Sequence, residues 1–198
     1  MGQEMLLNGC RIEEPVSTEF AQLLGIFEWL RDEGWEPYRT EICLCSCRLA
    51  LAGQADALFR NDRNQFAILD WKRSKRIRFE CPFRLLREPL GNLEECNGWL
   101  YSLQLNVYRW VLESEYGIEV SMMALGQVHP ELSAPCLIRV PRMEEEMELL
   151  IQHQVELGLA FPDPSPGENA PFVLPAGKAK HMQRAPALPK AIDARESL

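Results

Sequence analysis

Residues 65–71, Gln-Phe-Ala-Ile-Leu-Asp-Trp, constrain the fold of this chain more than any other stretch. Phe66, Ala67, Ile68 and Leu69 form a short apolar run of strand length that closes on an acid, Asp70. A polar turn, Arg60-Asn61-Asp62-Arg63-Asn64, precedes it, and residues 49–59 before the turn are small and aliphatic. The pattern predicts a β-hairpin. Side chains alternate along a strand, so Asp70 and Lys72 project from one face and Trp71 from the other. Asp70 falls where the sheet core meets its edge, and folding the hairpin about its turn brings Asp56 alongside it. Two carboxylates brought together repel unless a proton or a cation lies between them. Hard oxygen ligands with a lysine beside them suit Mg²⁺ or Mn²⁺ far better than zinc.

A third element follows a basic segment. Residues 96–116 read as a helix with Asn97 as a cap and Gly117 as a stop. Its expected buried stripe is Leu100, Leu103, Val107 and Val111. Gln104 and Tyr108 share a neighbouring face at helical spacing, with Tyr101 close by. Taken alone, such a pair is an ordinary core edge, and the hairpin an ordinary hairpin with a charged end.

Together these residues resemble a known pattern. Gly53-x-x-Asp56, then Asp70-Trp71-Lys72, then Gln104-Leu-Asn-Val-Tyr108 is similar to the motif series of the PD-(D/E)XK nuclease superfamily, in its RecB-like branch. The likeness covers about residues 38–140. The superfamily's usual first motif, a histidine on an upstream helix, has no match, because no histidine precedes His129; the expectation is that such a helix would lie before this sequence. The resemblance implies an α/β (α+β) fold, a central mixed β-sheet flanked by helices with a restriction-endonuclease-like core. It implies Asp56 and Asp70, with the carbonyl of Trp71, as ligands of Mg²⁺ or Mn²⁺, and Lys72 as the group that orients or deprotonates water. Gln104 and Tyr108 would position a DNA strand. Some RecB-like nucleases hold an iron–sulfur cluster on cysteines after this helix. Only Cys136 lies there, so no iron–sulfur cluster is expected.

Charge bears on the partner. The chain carries −8 overall, which argues mildly against nucleic acid. Residues 72–87, however, hold seven basic side chains against one acid, Glu80. A charge run is usually a solvated face. This one abuts the carboxylate pair, so Arg73, Lys75, Arg76 and Arg78 are expected to contact a phosphate backbone, with DNA (single strands or duplex ends) as the partner. Two rivals stand beside a nuclease: a catalytically inactive nucleic-acid-binding module, and a protein-interaction domain without a nucleic-acid role.

The remaining segments are read more briefly. At 198 residues the chain predicts one domain over residues 1–160 and a disordered proline- and alanine-rich tail over 161–198. Ser17 or Thr18 caps a helix with the stripe Phe20, Leu23, Leu24, Phe27 and Leu30, ending at Gly34. Pro37 then breaks the chain before a strand over residues 38–48. Glu41, Cys43, Cys45 and Cys47 share one face of that strand. One strand cannot wrap three thiolates around an ion, so the cysteines are expected to be small buried residues. Glu41 is either a site-lining acid, with a metal or supporting role, or an edge residue paired with an arginine. Residues 118–128 and 136–140 extend the sheet, with His129-Pro130 as a turn. Residues 143–159 form an amphipathic helix with Met143, Met147, Leu150, Ile151 and Leu157 inward. Seven cysteines without repeated spacing, no long apolar run and no leader predict an intracellular, reducing compartment and no membrane contact.

Overall fold

The computed structural model describes residues 17–159. The proline- and alanine-rich tail and the division of the chain at residue 160 lie outside them. The elements run α1 (Thr18–Asp32), β1 (Glu36–Ser46), β2 (Leu51–Arg60), β3 (Phe66–Arg73), α2 (Asn97–Tyr116), β4 (Val120–Val128), β5 (Cys136–Arg139) and α3 (Glu144–Glu156). The strands form one five-stranded sheet in the order β1-β2-β3-β4-β5. All neighbours are antiparallel except β3 and β4, which are parallel. A parallel neighbour needs a crossover, and α2 supplies it. This is the α+β architecture expected, a mixed sheet flanked by helices.

The two helices that cover the sheet do so from opposite faces. On one face Ile26 and Leu30 of α1 pack against Ala57, Phe59, Ala67, Leu69, Met122 and Ala124. On the other, Leu105, Tyr108, Val111 and Leu112 of α2 pack against Ile42, Leu44, Phe66, Ile68 and Leu125. The central strand β3 is covered on both sides, which is why residues 66–70 are all buried and the sequence there shows no alternation. Each large aliphatic side chain buried in these layers contributes about 1.5–3 kcal/mol.

Local chemistry fixes the ends. Ser17 Oγ accepts the N–H of Phe20 at 3.2 Å, so Ser17 is the cap of α1. Gly117 closes α2 in the left-handed conformation at φ 63°. Asn97 does not cap α2; Cys96 holds that position, and Asn97 instead ties the preceding loop, accepting from Arg78 N and donating to Arg76 O.

Several expectations are corrected. Pro37 lies inside β1 rather than ending the chain before it, at a register shift between Pro37 and Arg39 on the edge strand. A proline has no N–H to give a ladder, and an edge strand has the position to spare. Cys43, Cys45 and Cys47 are exposed, because Ile42, Leu44 and Ser46 take the core face of β1. In α1 the buried line is Gln22, Ile26 and Leu30, with Phe20, Leu23, Leu24 and Phe27 half-buried. Gln22 turns inward because its amide clamps the end of β4: Nε2 donates to the carbonyls of His129 and Leu132, and Oε1 accepts from His129 N. In α2, Leu100 is exposed and Val107 half-buried, while Leu105, Tyr108 and Leu112 are buried. Leu157 of the last helix is exposed, and Leu150 and Ile151 are half-buried; Met143 and Met147 are buried.

Candidate active site

The β2–β3 hairpin aligns Ala57 with Leu69 and Leu58 with Ile68, and the ladder stops there. Beyond it the Asp56 carboxylate takes over: its Oδ2 accepts the backbone N–H of Trp71 at 2.7 Å. A charge-assisted bond of this kind fixes Asp56 beside the Asp-Trp-Lys segment. Ala55 and Leu58 belong to the core under α2, whereas Ala57 and Phe59 belong to the core under α1. The alternation of β2 therefore changes phase at Asp56.

Along β3 the side chains alternate as expected. Trp71 faces α1 and stacks on Phe27 with ring centroids 5.8 Å apart. Asp70 and Lys72 face α2. Lys72 Nζ lies 2.5 Å from Asp70 Oδ2, donates to Gln104 Oε1 at 3.2 Å and sits 4.2 Å from the centre of the Tyr101 ring. Gln104 Nε2 in turn donates to Tyr108 OH at 2.9 Å. The chain Asp70–Lys72–Gln104–Tyr108 thus joins the central strand to the crossover helix. Tyr101 is one turn before Gln104 on the same face, and its cation–π contact is the addition the structure makes to the residues singled out by pattern.

Asp70 is 3% exposed. Burial holds its carboxyl above its ordinary pKa; Lys72 opposes this, and the charge of Asp56 adds to it. Lys72 is the charged partner of Asp70 Oδ2, an oxygen otherwise shut off from solvent. The buried Asp70 carboxylate and the Asp56 carboxylate held beside it offer a pair of hard-oxygen donors. Such a pair fits a divalent cation that keeps several of its own waters, as Mg²⁺ does. Among the described residues no three His, Cys, Asp or Glu side chains come together to hold a metal ion.

Glu41 stands between Thr40 and Ile42, which pair with Ala57 and Ala55, and therefore lies across from Asp56. Its backbone is left-handed at φ 49°, and its Oε2 accepts from Gln54 Nε2 at 2.6 Å. The structure does not bring its carboxylate into a three-ligand group with Asp56 and Asp70.

Gly53 owes its place to Tyr108. A Cβ there would lie 2.5 Å from Tyr108 Cε1, so glycine leaves the room that the ring takes against β2. Gly126 does the same for Trp71, whose ring fills the space a Cβ would take.

The expected phosphate contacts divide into two kinds. Arg73 pairs with Glu19 at 2.8 Å and Lys75 with Glu131 at 2.5 Å. Arg76 and Arg78 are exposed and have no ion pair among the described residues. His129 is structural: Gln22 grips its backbone, and its Nδ1 accepts from Glu131 N. Gln127, unremarked in the sequence, donates to Ser74 O and fixes the exit of β3. Among the described residues no helix is long and apolar enough to cross a membrane.

No family model and no curated protein sequence matches this chain. Among solved structures, it is similar to the protein SSO0001 at 21% identity and a TM-score of 0.34, covering 71% of this chain and 58% of that one. It is also similar to a protein of Eubacterium rectale provisionally described as an exonuclease, at 13% identity and a TM-score of 0.42, covering 96% of this chain and 74% of that one.

Proposed function

We propose that this chain hydrolyses phosphodiester bonds in DNA with the help of Mg²⁺ or Mn²⁺, as a nuclease of the PD-(D/E)XK superfamily and its RecB-like exonuclease branch, acting in DNA repair, recombination or replication. The single observation that carries the reading is the buried Asp70 carboxylate, paired through Oδ2 with Lys72 and set beside Asp56. An ionisable group kept buried near the end of the central strand, with a specific charged partner, is a functional-site candidate.

Asp56 and Asp70, with the carbonyl of Trp71, would hold the cation, which supplies a water of lowered pKa and a counter-charge for the phosphate. The chain's own residues do the rest. Asp70 and Gln104 occupy two of the three N–H directions of Lys72, and the Tyr101 ring restricts its swing. The remaining N–H is a fixed donor for a phosphate oxygen or for the attacking water. Gln104 is held by Tyr108, so the donor's direction is set by a rigid helix face. Arg76 and Arg78, without an ion pair among the described residues, would contact flanking phosphates.

The test is metal-dependent loss of full-length linear DNA. Lys72→Met should lower turnover at least a hundredfold, within the range of a positioned acid–base or charge-stabilising group, and leave DNA binding within a few fold. Full activity in Lys72→Met would overturn this assignment. A second reading is a nucleic-acid-binding module without catalysis. It draws on the absence, among the described residues, of a third carboxylate, histidine or cysteine beside Asp56 and Asp70. Salt-sensitive DNA binding with no Mn²⁺-dependent turnover would select it.

A further inference from the structure

Between β3 and α2 the chain runs through an irregular segment, residues 74–96, that is short of regular structure yet firmly held. Leu85 bridges to Glu94, Leu86 N donates to Leu93 O, and Glu95 N donates to Arg84 O at 2.7 Å. Leu86, Leu90 and Leu93 pack with Leu103, Trp99 and Met143 in a small core of their own. The segment is tied to the first turn of α2 by Gly98 N on Arg78 O and by Trp99 Nε1 on Phe79 O. Tyr101 and Gln104 of the site lie one and two turns further along that helix.

At the tip stands a turn closed by Arg84 N on the carbonyl of Cys81, with Pro82 and Phe83 at its corner. Phe83 is 96% exposed, an extreme value for a phenylalanine in a segment whose neighbours are pinned. Leu85, two residues on, is 58% exposed. Around this apolar tip the same segment carries Arg76, Arg78, Arg84 and Arg87, with Glu80 the one acid between residues 72 and 87. Of the four arginines, Arg84 alone has a carboxylate partner among the described residues, Glu95 at 3.5 Å. The carboxylate of Glu94 is turned inward onto Cys81 N.

An exposed aromatic ring on a held turn, in a segment rich in arginine, matches the chemistry of an unpaired nucleobase on its phosphate backbone. The ring face stacks on the base and the arginines neutralise the phosphates. A base inside a duplex presents no free face to such a tip. We propose that Phe83 is a stacking platform for an unpaired base, so that the substrate class of the neighbouring site is single-stranded DNA or a frayed end. The inference rests on the nuclease reading and adds to it a residue and a strand preference.

The experiment measures anisotropy of a fluorescein-labelled oligothymidylate and of a blunt duplex, with the full chain in EDTA. Wild type, Phe83→Ala and Phe83→Trp are compared. Phe83 touches no core, so the alanine variant should keep the wild-type circular dichroism and melting temperature. Its affinity for the single strand should fall roughly tenfold, the size of one lost base stack, with no change on the duplex and recovery in Phe83→Trp. Equal single-strand affinity in wild type and Phe83→Ala would overturn the platform while leaving the nuclease intact. Unchanged DNA binding with self-association lost in Phe83→Ala would reassign the tip to a protein contact. No DNA binding by the wild type, together with no cleavage, would overturn both.

Discussion

The Asp56 carboxylate accepts the backbone N–H of Trp71 at 2.7 Å, continuing the β2–β3 ladder with a side chain where the main-chain pairing has ended. The bond sets the two acids of the hairpin next to each other, since Trp71 follows Asp70 directly. It makes the position of Asp56 a property of the strand end rather than of a mobile loop. Removing it should loosen both acids at once.

Asp70 carries a conflict between fold and chemistry. Its folded pKa is raised by burial, so between the ordinary carboxylate value and the raised one the folded state binds more protons than the unfolded chain. Stability in the absence of metal therefore falls as pH rises through that window, and the cost persists at neutral pH. Asp70→Asn removes it. Differential scanning fluorimetry in EDTA at pH 7 should show the variant melting higher than wild type. The pH slope of the wild type should be flattened in the variant. A variant that melts well below wild type would mean that the ion pair with Lys72 stabilises the fold.

Gly53 and Tyr108 should behave as one unit. Gly53→Ala pushes a methyl into the Tyr108 ring, and overpacking of this kind costs about 1–3 kcal/mol. In a Tyr108→Ala background the same change should cost much less. A double-mutant cycle by urea denaturation reads the difference, and additive effects would contradict the contact.

Asn106 is fully buried and serves the start of the last helix. Its Oδ1 accepts from Met143 N at 3.0 Å, and its Nδ2 donates to Pro141 O at 3.0 Å and Ser102 O at 2.9 Å. Asn106→Ala leaves Met143 N and Pro141 O without these partners. The expected loss is about 1–3 kcal/mol, measured by chemical denaturation.

Glu144 gives the acid limb of stability. Arg142, and then Arg109, hold its carboxyl below its ordinary pKa. A lowered folded pKa contributes stability that is present above the unfolded value and lost as pH falls through the folded one. Glu144→Gln should therefore melt lower than wild type at pH 7, with the gap closing on acidification below the ordinary glutamate range. A gap independent of pH would point to lost packing instead.

Much of this arrangement was legible in the residues. The turn at residues 60–64, the unbroken apolar run ending at Asp70 and the Gln104–Tyr108 spacing together place the hairpin and the crossover helix. What the sequence hid were choices made by tertiary partners. Cys43, Cys45 and Cys47 read as buried because they are small, but parity along β1 gives the core face to Ile42 and Leu44. Gln22 and Asn106 are polar on helices, so periodicity passes over them; their burial makes sense only once the backbone groups they clamp are in place. The basic segment showed its charge but not that Arg73 and Lys75 meet Glu19 and Glu131 across the fold.

The central claim is that Asp70 and its neighbours cut DNA, and a cleavage time course tests it most directly. Linear DNA labelled at either end is incubated with wild type and with Asp70→Ala, in Mn²⁺ and in EDTA. The account predicts label loss by wild type in Mn²⁺ alone, none by Asp70→Ala, and salt-sensitive DNA binding retained by the variant. Cleavage by Asp70→Ala at the wild-type rate would contradict it.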